Sequence, residues 1–394
     1  VSNVTEGLMT IGAFELNLDR ASTPRSTVGE LSTWSTICVT PGRLDGMDRD
    51  TLYSLARFSG RLQRRSDDLC TLAGPSILAW LGDDEGKGPW INTALNGATS
   101  GAHDMIDDLF NLGGSAYYRV NGLTLGTNNL PATAVWASST TAIPVNLTRV
   151  WLDELCRFLG WYYRCNADGS IDIDDSTALF VSSPTMIVVP QWWSESPSDP
   201  SFRVVAGDIK AVNSNDHYVS DLQIHGGAYE GQTGVAYGTE PYAFGHEGAD
   251  QGIIWKNIQN DTDFTSYAAA DAAADKEMLA NWSTENLIDI SVRLDDPKTH
   301  VEPGDAIYVC DPRQGLILPG LYEVNVLGQV LWPILVNVHE MTWPIVDGMG
   351  VYVVDNATAE VVDLTDHVLW GDGPVNLKVG ARWPTPSEVV SGRN

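Results

Sequence analysis

The chain has 394 residues, 43% of them hydrophobic, which suits roughly two or three folded domains and argues against wholesale disorder. Its 37 Gly, 20 Pro and 14 Trp, together with many Val, Ile and Thr, favour strands and turns over a helix bundle. With 51 Asp plus Glu against 23 Lys plus Arg, a net charge of −28, the surface repels phosphates, which argues against a DNA-binding protein but not against a wall past which DNA slides; solubility is the plainer reading of the same charge.

In chain order, Leu8–Leu16 reads as a strand, with strict alternation only where Phe14, Leu16 and Leu18 face away from Glu15 and Asn17. Trp34–Val39 reads as another strand and Thr40-Pro41-Gly42 as a turn. Leu52–Phe58 suits either strand or helix. The apolar end of Arg61–Leu72 reads as a strand, and Gly74–Leu81 as a short helix that starts at Pro75 and stops at Gly82. Gly82–Gly101 suits a long loop. Ala102–Phe110 is amphipathic at helical spacing, and Asn121–Ile143 reads as irregular.

The clearest helix is Leu147–Leu159, with Asn146 as N-cap and Gly160 after its end. Asp168-Gly169 then predicts a hairpin between Trp161–Cys165 and Ser170–Ile173. Pro190–Pro200 suits a linker, and Gly226–Gly252, with eight glycines, an extended loop or arm. Phe264–Trp282 is an Ala-rich helix. Leu287–Leu294 alternates as a strand, Pro303-Gly304-Asp305 is a turn, Ala306–Cys310 is a strand, and strands continue through Trp343. Met349–Asn394 reads as short extended runs ending in a loose polar terminus.

No membrane span is expected, because the longest apolar stretch, Leu316–Val338, is broken by Pro319, Glu323, Asn325, Gln329, Pro333 and Asn337. Val1–Thr10 lacks the basic and apolar regions of a secretory signal.

Templates for chemistry find little to hold. The cysteines are Cys38, Cys70, Cys156, Cys165 and Cys310, without a CxxC pair; Cys156 and Cys165 could pair across a turn, but scattered buried thiols are the simpler reading. Asn166–Asp175 resembles a calcium loop in composition but lacks its spacing and final glutamate, and a hairpin turn accounts for Asp168-Gly169. The histidines, His246-Glu247 and His339-Glu340 included, fall in no metalloprotease spacing. Neither a nucleophile elbow nor a phosphate loop occurs. A glycosidase-type carboxylate pair would leave no signature among so many acids. Trp192-Trp193, Trp332-Pro333 and Trp343-Pro344 could stack on sugar, but core and interface packing is the commoner use. No catalytic, cofactor-binding or metal-ligating residue is assigned, and no enzyme activity is expected.

Several segments, in this order, resemble the hub proteins of siphophage tails. Leu69–Leu81 is similar to their strand-then-helix segment, and Val145–Gly160 with the Asp168-Gly169 hairpin to their helix-plus-hairpin insert. The Ala-rich helix, the strand Ile288–Leu294 and Val301–Val309 with its Pro-Gly-Asp turn are similar to their second barrel. Met349–Tyr352 and Val362–Trp370 resemble the end of minor tail proteins of phages infecting actinobacteria.

The resemblance implies a mainly β fold of two tail-tube-like β-barrel domains plus a small helix-hairpin domain. It divides the chain into 1–82 (first part of an N-terminal barrel), 83–144 (loop-rich, with a short helix), 145–190 (α+β insert), 191–346 (second barrel with the helix 264–282) and 347–394 (C-terminal extended segment). It also implies a homotrimeric ring in the virion, at the tail tip, assembled in the host cytoplasm. Its partners would be the distal tail protein, the tape measure protein and tip or fibre proteins, with DNA passing through without specific binding. A hexameric distal tail ring is the neighbouring alternative, and a carbohydrate-binding or wall-degrading tip protein the alternative from another class.

Overall fold

The computed structural model describes residues 2–23, 25–32, 35–66, 70–82, 90–91, 123–128, 146–147, 149–150, 152–153, 156, 161–166, 168–175, 186–190, 203–213, 221–229, 232–239, 256–260, 286–293, 301–309, 311 and 334–381. Its first strands are β1 (Asn3–Gly7), β2 (Thr10–Asn17), β3 (Thr36–Thr40), β4 (Phe58–Arg61), β5 (Arg64–Arg65), β6 (Thr71–Pro75), β7 (Trp90–Ile91) and β8 (Thr124–Asn128). Then come β9 (Asn146–Leu147), β10 (Trp161–Cys165), β11 (Ser170–Asp175), β12 (Ile187–Pro190), β13 (Arg203–Asn213), β14 (Asp221–Tyr229), β15 (Gln232–Thr239) and β16 (Lys256–Asn260). The last are β17 (Asn286–Val292), β18 (Ala306–Val309), β19 (Ile334–Pro344), β20 (Gly350–Val354), β21 (Val361–Asp363) and β22 (Val375–Ala381). Two short helices, α1 (Arg25–Glu30) and α2 (Arg49–Leu55), lie among the first strands.

The fold is mainly β, and six strands close into a barrel in the order β18-β12-β13-β17-β22-β19, with β19 pairing back onto β18. Alternation explains the closure. In β17 Ile288, Ile290 and Val292 are buried while Asp289 is exposed, and in β22 Val375, Leu377 and Val379 are buried while Asn376 and Lys378 are exposed. The barrel draws Ile187–Pro190 and Val375–Ala381 to the strands between them in sequence.

β19 serves two sheets. Along one edge its first half pairs with β18, from Ile334↔Val309 to Asn337↔Ala306, and its second half with β1, from Glu340↔Gly7 to Pro344↔Asn3. Its other edge pairs with β22. A bulge between Val338 and Glu340 marks the changeover, where the extra residue sharpens the strand's twist.

From β1 the sheet continues through β2, β6 and β5, and the sheet β21-β20-β3-β4 is bridged to it by the pairs Gly60↔Ser76 and Leu18↔Val368. The two share one core. Phe14 from one and Phe58 from the other meet edge to face at 6.0 Å.

Several local expectations change. Leu8–Leu16 does not form one strand: Leu8 and Met9 make a tight turn between β1 and β2, with Met9 at φ 55. Leu52–Phe58 splits between α2 and β4, because Asp48 caps the helix by accepting from Thr51 N at 2.9 Å. Gly74 and Pro75 end β6, and only Ile77–Leu81 turns, as a 3-10 helix. Asn146 is not an N-cap, because Asn146 and Leu147 pair with Ile91 and Trp90; helical residues follow from Arg149. The hairpin forms in register, from Trp161↔Asp175 to Cys165↔Ile171. The helices expected at 102–110 and 264–282 lie outside the described residues, as does the linker expected at Pro190–Pro200 after Pro190, which ends β12.

Replacing Asp48 by Ala is expected to lower stability modestly through loss of this cap. Comparing the urea midpoints of the two proteins checks it, and an unchanged midpoint would show that the cap contributes nothing.

Candidate functional surface

Among the described residues no group of three His, Cys, Asp or Glu side chains is placed to hold a metal ion, and no helix is long and apolar enough to cross a membrane. The most extended feature is a face. Because β19 belongs to both sheets, the outward side chains of barrel and first sheet form unbroken cross-strand rows.

One row runs Asp208, Ser291, Asn376, Thr342, Thr5, Ala13 and Pro75, one residue from each of seven neighbouring strands. Measured along the curved sheet, six strand spacings make the row about 29 Å long. Its side chains are short, and the Thr5 and Thr342 hydroxyls meet at 3.0 Å across the junction. Beside it runs a charged row, Lys210, Asp289, Lys378 and Glu340, alternating in sign from strand to strand. Lys378 Nζ donates to Glu340 at 2.9 Å and Lys210 Nζ lies 2.9 Å from Asp208. These carboxylates raise both ammonium groups above their ordinary range. Each such exposed pair contributes little stability, but it neutralises the charge locally. On the far side run Pro344, Asn3, Glu15, Ala73 and Arg64.

Across the face, Lys210, Lys378 and Arg64 stand against Asp208, Asp289, Glu340 and Glu15, which is near neutrality in a chain of net charge −28. The acidic surplus therefore lies almost wholly elsewhere. Sequence reasoning reads the outward positions of each strand but not this surface, because its residues come from positions 3 to 378 and only strand order aligns them.

The hairpin is tied to both sheets. Met9 N donates to Tyr163 O at 3.2 Å, and Arg164 lies 3.7 Å from both Asp172 and Asp305. Asp305 ends the Pro303-Gly304-Asp305 turn, where Gly304 takes φ 95 and donates to Val338 O at 2.7 Å. That φ favours glycine, and the Asp305 carboxylate closes the turn by accepting from Glu302 N at 2.9 Å.

The calcium-like segment is held by protein donors. Asp168 accepts from Ser170 N and Oγ at 2.9 and 2.6 Å, and Asp172 from Asn166 Nδ2 and Thr127 N, both at 2.7 Å. Burial pushes the Asp172 carboxyl up, but these bonds and Arg164 outweigh it and hold the group below the carboxylate range. No disulfide joins the described cysteines, so Cys156 and Cys165 are thiols; burial pushes Cys38 up to about 12 and raises Cys156 as well. Trp343 and Trp80 are buried: Trp343 Nε1 donates to Glu6 at 2.8 Å, and the Arg61 guanidinium lies 5.2 Å from the Trp80 ring centre. Trp192, Trp193, Trp332, His246 and Cys310 lie outside the described residues.

Burial pushes the His339 imidazole, at the β19 bulge, below its ordinary 6.5. Folding thus favours neutral His339, a contribution complete above pH 6.5 and lost as pH falls through the lower folded-state value. The depressed Asp172 adds a second loss, beginning as pH falls below its ordinary 3.8. The melting temperature is therefore expected to fall on acidification, and His339→Gln to remove the first part of the fall. An identical pH profile for the variant would refute the assignment.

No protein-family profile matches the sequence, and no curated protein matches it. Among solved structures, the chain is similar to the tail protein from Neisseria meningitidis MC58, with TM-score 0.56 and 12% identity over 97% of this chain and 91% of that one. It is also similar to the 43 kDa tail protein of prophage MuSo2 from Shewanella oneidensis, with TM-score 0.50 and 12% identity over 97% and 93%. Prophage tail protein gp18 from Listeria monocytogenes EGD-e matches with TM-score 0.50 and 10% identity over 100% and 91%. At these identities the likeness is one of fold.

Proposed function

We propose, from a fold shared with phage and prophage tail proteins over nearly its whole length, that this chain is a structural tail protein and the hub of a long-tailed phage's tail tip. The observation that carries the reading is the seven-strand face spanning both sheets. A wall needs an uninterrupted surface with its backbone groups paired, and one shared strand supplies it.

Three chains form the ring, each giving two barrel-like units, so that six units continue a sixfold tube. The face of short, charge-balanced side chains lines the passage. Each lysine in its charged row already has a carboxylate neighbour, so passing phosphates find no open cationic row to bind. The ring joins the distal tail protein above to tip or fibre proteins below, surrounds the end of the tape measure protein and lets DNA exit. It is assembled in the host cytoplasm and carried in the virion. The chain does no chemistry of its own, binds no cofactor or metal, and leaves wall degradation and receptor binding to partners.

The mass of the assembled ring tests this most directly. Three copies of the 42.8 kDa chain give about 128 kDa, whereas about 257 kDa would assign it to the hexameric distal ring instead. Antibody–gold labelling of virions should mark the tail tip; label on the capsid, or none, would overturn the reading.

A further inference from the structure

Read across β13, β17, β22 and β19, the charged row of the outer face is Lys210, Asp289, Lys378 and Glu340: positive, negative, positive, negative. All four side chains reach solvent. Those of Lys210, Lys378 and Glu340 are 69%, 51% and 39% exposed, and Asp289 is exposed as well.

An alternating row of even length is its own complement when reversed. A two-fold axis running along the strands, between β17 and β22, lays a second copy face to face on the first and reverses the row. Lys210 then stands opposite Glu340 of the second copy, and Asp289 opposite its Lys378, each pairing made twice. An axis across the strands would set lysine on lysine, so the charges select the first arrangement. The neighbouring row adds no like charges: Asp208 falls opposite Thr342, and Ser291 opposite Asn376. Because the sheet closes into a barrel, the copies come closest along β17 and β22, where the two Asp289–Lys378 pairings lie. Nearly all of the chain's −28 lies off this face, so copies repel one another elsewhere and attract here.

We propose that the free chain forms a two-fold dimer with a second copy through this face, an isologous contact. One face cannot be covered by a second copy and line a passage at once. On the lumen reading above, the dimer therefore holds the face shut until ring assembly parts it.

The test uses the full chain. In low salt, sedimentation velocity should give two copies of the 42.8 kDa chain, about 86 kDa, and in high salt one, since salt screens exposed charges. Lys378→Glu sets two carboxylates against two across the axis, and Asp289→Lys sets two ammonium groups against two. Each variant alone should be a single chain with an unchanged circular dichroism spectrum. Their equimolar mixture should be a dimer, because the carboxylates of one then face the ammonium groups of the other. A wild type that stays single in low salt, a variant that still dimerises alone, or a mixture that stays single overturns the contact; if virions still label at the tail tip, the hub reading stands. A dimer that behaves as described while label falls on the capsid overturns the hub reading and leaves the contact standing.

Discussion

Trp343→Ala is expected to cost about 3–5 kcal/mol, which is a large part of the stability of an ordinary domain. The indole is wholly buried in the second half of β19, opposite Val4, and belongs to the core common to the barrel and the first sheet. Truncation opens a cavity on the one strand that holds those sheets together. It also takes away a donor from Glu6, whose carboxylate accepts from Trp343 Nε1 at 2.8 Å and is only 8% exposed. Trp343→Phe separates the two effects: it keeps most of the ring and loses the hydrogen bond, with an expected cost of about 1–3 kcal/mol. Adding Glu6→Gln to Trp343→Phe should recover part of that loss, since a neutral amide is less costly to bury than a carboxylate. Guanidinium unfolding of the four proteins checks the series. If Trp343→Ala matched the wild type within error, the shared core would not be the keystone described.

Gly74→Ala should be as damaging although it adds a single methyl group. A Cβ at Gly74 would lie 1.9 Å from Arg61 O and 3.0 Å from Gln63 N, both backbone atoms that no rotamer change can move. A Cβ at Gly12 would similarly lie 2.2 Å from Thr5 O. Relief requires the strands to separate, so each substitution is expected to cost upwards of about 3 kcal/mol. Gly46→Ala is the control. Its φ of 64 is unfavourable for alanine, but nothing stands within 4 Å of the added atom, so only local strain of about 1–2 kcal/mol is expected. Melting temperatures of the three variants should rank accordingly, and a Gly74→Ala protein more stable than Gly46→Ala would overturn the packing described here.

Much of this architecture is legible in individual segments. The alternation in Ile288–Val292, the Asp168-Gly169 hairpin and the Pro303-Gly304-Asp305 turn all appear where local chemistry places them, because each is decided within a few residues. Boundaries set by distant contacts are not legible. Gly74-Pro75 carries the signature of a helix start, yet both residues extend β6, since Gly74 is pressed against Arg61 O and Ser76 bridges Gly60. Asn146 has the chemistry of an N-cap, but Ile91 claims it for a strand pair. The outer face is the extreme case. The outward positions of β22 and β17 can be read from Asn376, Lys378 and Asp289, but their alignment with Thr5 and Ala13 depends on which strands lie side by side. The near-neutrality of that face is equally hidden in a composition that averages over the whole surface.

The double pairing of β19 also sets a timetable. β1 can pair with β2 as soon as both are made, but its other edge is filled only when Glu340–Pro344 arrives, and the barrel closes only when Val375–Ala381 fits between β17 and β19. Contacts so distant in sequence make folding slow and leave early strands waiting with open edges. Translation must therefore run through Val375–Ala381 before the barrel is complete, and a chain halted short of Val375 would expose the edges of β17 and β19 to whatever lies nearby.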